Sequence, residues 1–299
     1  MIPLFDLHCD TLFEIYRRNE NIKSNDLHIS FEKACTFSPY SQVFAIWSDA
    51  SLSNDDAYER YNKILEYSKK QINFTTQIDI EKERNFILAV EDARLLNNDL
   101  SRLYKLFFDG VRILTLNWKG ISIIGGGWDT NEGLTKFGKY LVKECFEYGI
   151  IPDVSHSSTK TINDVLTLAS QYNKPIIASH SNSYSVCNHK RNISDEHFKY
   201  LIESNSIVGI SLVPEHLSNS EYATLNDILR HIDYFLNLGG ENAICLGCDF
   251  DGVSSLPQNI STISDLPLVY QQIEKSFGNI LVKKIFFENA FNFMKKNLK

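Results

Sequence analysis

Proline and glycine are scarce in this chain, 7 and 14 of 299 residues, and neither gathers into a tract that reads as a linker or low-complexity segment. Disordered and fibrous classes are excluded. No apolar run approaches the roughly 18 residues needed to span a bilayer as a helix. Residues Met1–Asp6 carry neither a basic segment nor a small-residue cleavage site, so no secretory leader is expected and a cytoplasmic location is. Positive charge is not in excess: 37 acidic side chains outnumber 30 basic ones, for a net charge of -7, and the lysines are scattered apart from Lys295 and Lys296. Nucleic acid and anionic membranes are therefore not expected partners. The six cysteines (Cys9, Cys35, Cys145, Cys187, Cys245, Cys248) lie in a chain long enough to bury a core without disulfides, and reduced thiols are expected. Cys245 and Cys248 form a C-x-x-C, but inside an apolar run and without the second pair that a four-cysteine zinc site requires.

What the chain does contain is a repeat of two periodicities. Eight short apolar runs, Leu4–His8, Val43–Trp47, Phe86–Glu91, Val111–Leu116, Ile151–Ser155, Pro175–Ser179, Ile207–Val213 and Ala243–Cys248, read as strands. Between them lie segments of helical period, at Leu12–Arg18, Asp55–Lys70, Leu134–Tyr148, Thr159–Gln171, Asp195–Glu203 and Leu225–Leu238, and a pair follows at Leu266–Phe277 and Ile280–Lys296. Ser158 and Ser194 supply helix starts, and Gly149 and Gly239-Gly240 supply stops. Mostly apolar strands alternating with helices argue for a parallel sheet covered on both faces, and eight such units for an α/β fold of the (β/α)8 TIM-barrel type. An open doubly wound sheet is the alternative. Barrels of this length form one domain, which is expected over residues 1–299.

Polar residues interrupt these runs at their C-terminal ends. His8 and Asp10 stand two apart after the first run, Glu91 follows five apolar residues, and His156, His180 and Asp249 follow the fifth, sixth and eighth. A lone histidine at a strand end is usually a satisfied structural group. In a barrel all these ends meet at one rim, where imidazoles and carboxylates together suit one or two divalent cations, zinc above others. Asp153 is expected to orient a ligand, and Asp251 to stabilise a turn before Gly252. His28, His197, His216 and His231, without matching partners, read as surface or capping residues. Gly125-Gly126-Gly127 lacks the spacing of a phosphate cradle.

The chain resembles the renal (membrane) dipeptidase family of metallopeptidases in blocks spread over nearly its whole length. These are Asp6-Leu7-His8-Cys9-Asp10-Thr11, Val90-Glu91, Asp153-Val154-Ser155-His156, Ser179-His180-Ser181-Asn182, Arg191-Asn192-Ile193-Ser194-Asp195 and Gly247-Cys248-Asp249-Phe250-Asp251-Gly252. The resemblance implies a metal-dependent hydrolase with two Zn2+ at the barrel mouth. Glu91 would bridge them, His8 and Asp10 would hold one, and His156 and His180 the other. It further implies Asp249 as the catalytic carboxylate and Arg191 as the group that binds the terminal carboxylate of a small dipeptide, including L-Xaa-D-Xaa. Two such cations lower the pKa of a shared water and polarise the scissile carbonyl. Where the mammalian member has a Thr-His pair whose histidine contacts substrate, this chain has Asn117-Trp118, which bears on substrate preference; Trp118 is expected to shape the pocket. The other readings are a hydrolase of another amide, lactam or ester, and a non-catalytic metal-binding protein. The expected partners are the dipeptide and, among macromolecules, at most a second copy of the chain.

Overall fold

The computed structural model describes residues 1–79 and 81–298. Eight parallel strands, β1 (Ile2–Asp6), β2 (Phe37–Trp47), β3 (Arg84–Glu91), β4 (Val111–Thr115), β5 (Ile151–Asp153), β6 (Ile177–Ala178), β7 (Ile207–Ile210) and β8 (Ile244–Leu246), pair in chain order. The last pairs back to the first through Asp6 and Leu246, which closes the sheet into a (β/α)8 barrel and removes the open-sheet alternative. Around it lie α1 (Thr11–Arg18), α2 (Asn54–Lys69), α3 (Leu100–Asp109), α4 (Lys136–Tyr148), α5 (Thr159–Tyr172), α6 (Asp195–Glu203), the single turn α7 (Pro214–Leu217), α8 (Leu225–Asn237) and α9 (Leu266–Phe277). Then α10 (Asn279–Lys283) runs through a π-helical turn at Lys284–Glu288 into α11 (Asn289–Asn297). Ser158 and Ser194 accept backbone N–H bonds from Thr161 and His197 at the starts of α5 and α6. Gly149 ends α4 in the left-handed conformation. Among the described residues no helix is long and apolar enough to cross a membrane.

Alternation along the strands sorts the apolar side chains into two layers. Phe5, Val43, Ala45, Ile87, Ala89 and Ile113 fill the barrel interior, while Leu4, Phe44, Leu88 and Leu114 join the larger layer beneath the helices. The interior cluster continues into Phe293, Met294 and Leu298 of the C-terminal segment, so that segment stoppers one end of the barrel. Burying each such large apolar side chain stabilises by about 1.5–3 kcal/mol. Asn289 ties the stopper down, its Nδ2 donating to the carbonyls of Ile244 (2.7 Å) and Glu241 (3.0 Å). The opposite rim remains for polar groups.

The strands in the second half are shorter than the apolar runs suggest, β6 most of all. Its chain turns inward directly after Ala178. The Ser179 carbonyl lies so close to Gly209 in β7 and Gly247 after β8 that a Cβ at either would stand 1.9 or 1.8 Å from the Ser179 oxygen. Only glycine permits that approach. The runs themselves are apolar, but their last residues have left the ladder to carry side chains toward the centre.

Candidate metal centre

Three strand ends supply one half of the centre. A bend at Leu7 breaks the alternation that put Phe5 and Leu7 inside. Beyond it, residues 7–10 keep company with residues 246–250 through Leu7 N–H to Leu246 O (2.9 Å), Asp249 N–H to His8 O (3.2 Å) and Asp10 N–H to Phe250 O (2.9 Å). His8, Asp10 and Asp249 are thereby gathered: His8 Nε2 lies 3.6 Å from Asp10 Oδ2 and 3.8 Å from Asp249 Oδ1. Glu91 ends β3 and divides its carboxylate, with Oε2 3.5 Å from His8 Nε2 and Oε1 2.9 Å from His156 Nε2 and 3.7 Å from His180 Nε2. All five residues expected to bind metal, and Asp249 with them, meet at one rim. Three overlapping sets of donors there, Glu91 with His156 and His180, His8 with Asp10 and Asp249, and His8 with Asp153 and His180, are each compact enough to hold one ion.

The surrounding groups decide which face each imidazole presents. His156 Nδ1 lies 3.1 Å from the Trp118 carbonyl, which can only accept, so that nitrogen carries the hydrogen. Ser179 Oγ donates to Asp153 Oδ2 (2.6 Å) and so accepts from His180 Nδ1 (2.8 Å). Asp153 is itself fixed by Thr115 Oγ1 (2.7 Å) and by the backbone N–H groups of Ser155 (3.0 Å) and Ser179 (2.9 Å). Both Nε2 atoms are thus left as lone pairs, and they face each other at 2.8 Å. Two lone pairs at that distance repel unless a cation lies between them and the carboxylates. His8 Nε2 and Asp10 Oδ1 are also buried without a hydrogen-bond partner among the described residues. Imidazole and carboxylate donors with unused lone pairs are what a divalent ion requires.

Electrostatics point the same way. Burial pushes Asp10 well above the usual carboxylate range, reinforced by Glu91, and raises Asp249 to about 6. Glu91 is equally buried, yet His8 and His156 outweigh that and hold it well below the usual range, as an anion. Burial keeps His156 neutral, lowered to about 4, and pushes His180 well below its ordinary value. Glu91 and Asp10 in turn raise His8 well above its ordinary value against its burial, so three crowded carboxylates share one cationic imidazole and two neutral ones. His156 and Asp249 also adopt left-handed backbone angles, φ 66° and 62°, an uncommon conformation for residues with side chains that clusters at functional sites.

Arg191, on the strap after β6, is buried with Nη2 lacking a partner among the described residues, and burial lowers its pKa to about 10 against the pull of Asp249 and Glu91. It borders a cavity of about 470 Å³ that also touches Trp128, Ser157, Lys190 and Asn192. A larger cavity, about 750 Å³, lies between the ends of α4, α5 and α6, and neither cavity is lined by the six clustered groups. Trp118 lays its ring over His156, with centroids 6.2 Å apart, and packs edge-on against Trp47 at 5.3 Å. Asp251 does more than shape its turn: it accepts from Thr11 Oγ1 and from the His28 backbone N–H, both at 2.6 Å.

The expectation of surface or capping roles for four histidines needs correction for three. His197, His216 and His231 are buried. His197 Nε2 meets Asn163 Oδ1 at 2.8 Å, and His231 bridges the Ser183 N–H to the Leu217 carbonyl. His216 packs beside His189 and within electrostatic reach of Arg191. Nothing in the run Pro214–Leu217 signals this, because a single helical turn has no periodicity to read.

The family model described as Membrane dipeptidase (Peptidase family M19) matches residues 1–298. Among solved structures the chain is similar to a metallopeptidase from Rhodobacter sphaeroides liganded with a phosphinate mimic of the dipeptide L-Ala-D-Ala (TM-score 0.91, 23% identity, covering 100% of this chain and 99% of that one). It is likewise similar to dipeptidase AC, a metallopeptidase of the same peptidase family (0.91, 24%, 99% of each), and to the probable dipeptidase PvdM from Pseudomonas aeruginosa (0.89, 17%, 99% and 96%). At these identities the structural likeness speaks for the fold.

Proposed function

The chain belongs to the membrane dipeptidase family of metallopeptidases and is a metal-dependent hydrolase of dipeptides; we propose that His8, Asp10, Glu91, His156 and His180 hold two zinc ions, Glu91 lying between them. The observation that carries this reading is the 2.8 Å approach of two unprotonated Nε2 atoms beside a carboxylate that stays charged. Bound there, the ions would supply Lewis acidity toward the scissile carbonyl and acidify a water. The chain's own groups do the rest. Asp249, buried and set 3.8 Å from His8, takes the proton of the attacking water and passes it to the leaving amine. Arg191 grips the terminal carboxylate of the dipeptide, for which a guanidinium fork is suited. Trp118 walls the pocket above His156 and keeps water from its ring.

The substrate we propose is a small free dipeptide, with a D residue tolerated on the C-terminal side. The phosphinate mimic of L-Ala-D-Ala held by the Rhodobacter sphaeroides relative supports this choice. The test is metal analysis of the purified protein together with turnover of L-Ala-L-Ala and L-Ala-D-Ala before and after chelation. Two equivalents of zinc and chelator-sensitive cleavage of both are expected. A single equivalent, or cleavage of neither peptide, would overturn the reading.

A further inference from the structure

Building on the reading of Arg191 as the carboxylate-binding group, we infer that His216 is a second, specificity-determining reader of the dipeptide's C-terminal carboxylate, donating a ring N–H beside the Arg191 guanidinium. His216 is 8% exposed, and its Nδ1 has no partner among the described residues. Its ring packs on that of His189, centroids 4.7 Å apart, and His189 Nδ1 accepts the Arg191 backbone N–H at 3.3 Å.

Two further bonds tie the strap carrying Arg191 to α7. Asn192 Nδ2 donates to the His216 carbonyl at 2.8 Å, and Cys187 Sγ donates to the Glu215 carbonyl at 3.4 Å. The segments that carry His216 and Arg191 are therefore held against each other. Burial first, then the nearby charge of Arg191, disfavours a positive ring, so His216 offers one N–H and one lone pair. Arg191 Nη2 also lacks a partner among the described residues. Buried polar groups ordinarily have partners, and two without, on segments packed together through His189, are the exception that calls for a ligand. A carboxylate seated on Arg191 gives both groups an acceptor. None of the groups proposed to bind metal or move protons needs His216.

The test compares the parent with His216→Phe, His216→Asn and His216→Gln on L-Ala-D-Ala and its C-terminal amide, with metal content measured throughout. A hydrogen bond to a charged group sets the scale, so His216→Phe should raise KM for the free dipeptide about tenfold or more while kcat changes little. The preference for free over amidated peptide, as a ratio of kcat/KM, should fall by the same factor. Asn restores it if Nδ1 is the donor, and Gln if Nε2 is. An unchanged preference in His216→Phe, an equal loss on both peptides, or lost metal would each overturn the inference and leave Arg191 untouched. A parent that cleaves the amide as well as the acid would instead overturn the reading of Arg191, and this inference with it.

Discussion

His156 and His180 present their Nε2 atoms to each other across 2.8 Å, each with its hydrogen held on the far nitrogen, by the Trp118 carbonyl in one case and by Ser179 in the other. Such a pair is stable only with a cation nearby. Removing metal with a chelator should therefore lower the melting temperature by several degrees as well as abolish turnover, since a ligand bound at a thousand times its Kd stabilises by about 4 kcal/mol. Calorimetry with and without chelator, followed by zinc restoration, checks this; an unchanged melting temperature would remove the site's role in stability.

Asp249→Asn keeps the shape of the side chain and removes its capacity to take a proton. Turnover should fall by about 10²- to 10⁴-fold, the range of general acid–base catalysis, with two equivalents of zinc retained. Steady-state rates beside metal analysis provide the check, and rates near those of the parent would exclude Asp249 as the proton carrier.

Asp153 touches no metal-facing nitrogen, yet it accepts from Ser179, the residue that fixes His180. Asp153→Asn or Ser179→Ala should weaken metal affinity about 10- to 100-fold, as losses behind a ligand typically do. Competition against a chromophoric chelator measures this directly.

Arg191→Met, similar in length but without charge, should raise KM for free dipeptides about tenfold or more, the loss of a charge-assisted pair, and leave the amides unaffected. Kinetics on matched acids and amides decide it. Equal loss on both would show that Arg191 acts on packing.

Gly209→Ala and Gly247→Ala each drive a methyl into the Ser179 carbonyl. Overpacking of this kind costs about 1–3 kcal/mol or more. Because His180 follows Ser179, metal content should fall along with melting temperature. A variant that loses stability but keeps both metals would show that the approach serves the fold alone.

Much of this was legible in the linear sequence, for physical reasons that differ along the chain. Glu91 stands out because a carboxylate after Phe86-Ile87-Leu88-Ala89-Val90 contradicts a strand buried on both faces. His8 and Asp10 share a side because an extended chain alternates, although the bend at Leu7 shifts which side that is. The length of β6 was not legible: Pro175–Ser179 is uniformly apolar up to Ser179, and only the glycines of two other strands allow the chain to leave the sheet there. The hydrogen-bonding roles of Thr115, Ser155 and Ser179 leave no mark of their own, since small hydroxyl residues are ordinary anywhere. The burial of His216 has no sequence signal, because burial of a residue in a single turn is decided by what packs over it, here His189 and the strap around Arg191.

The seam between β1 and β8 joins residues 242 apart, where the Cys248 N–H meets Asp6 Oδ1 at 2.8 Å. His8 and Asp10 stand just past one lip of that seam and Asp249 just past the other. Two of the five proposed ligands, and the proposed proton carrier with them, therefore come together only where these distant stretches of the chain meet, a contact of long sequence separation and so of the slow kind.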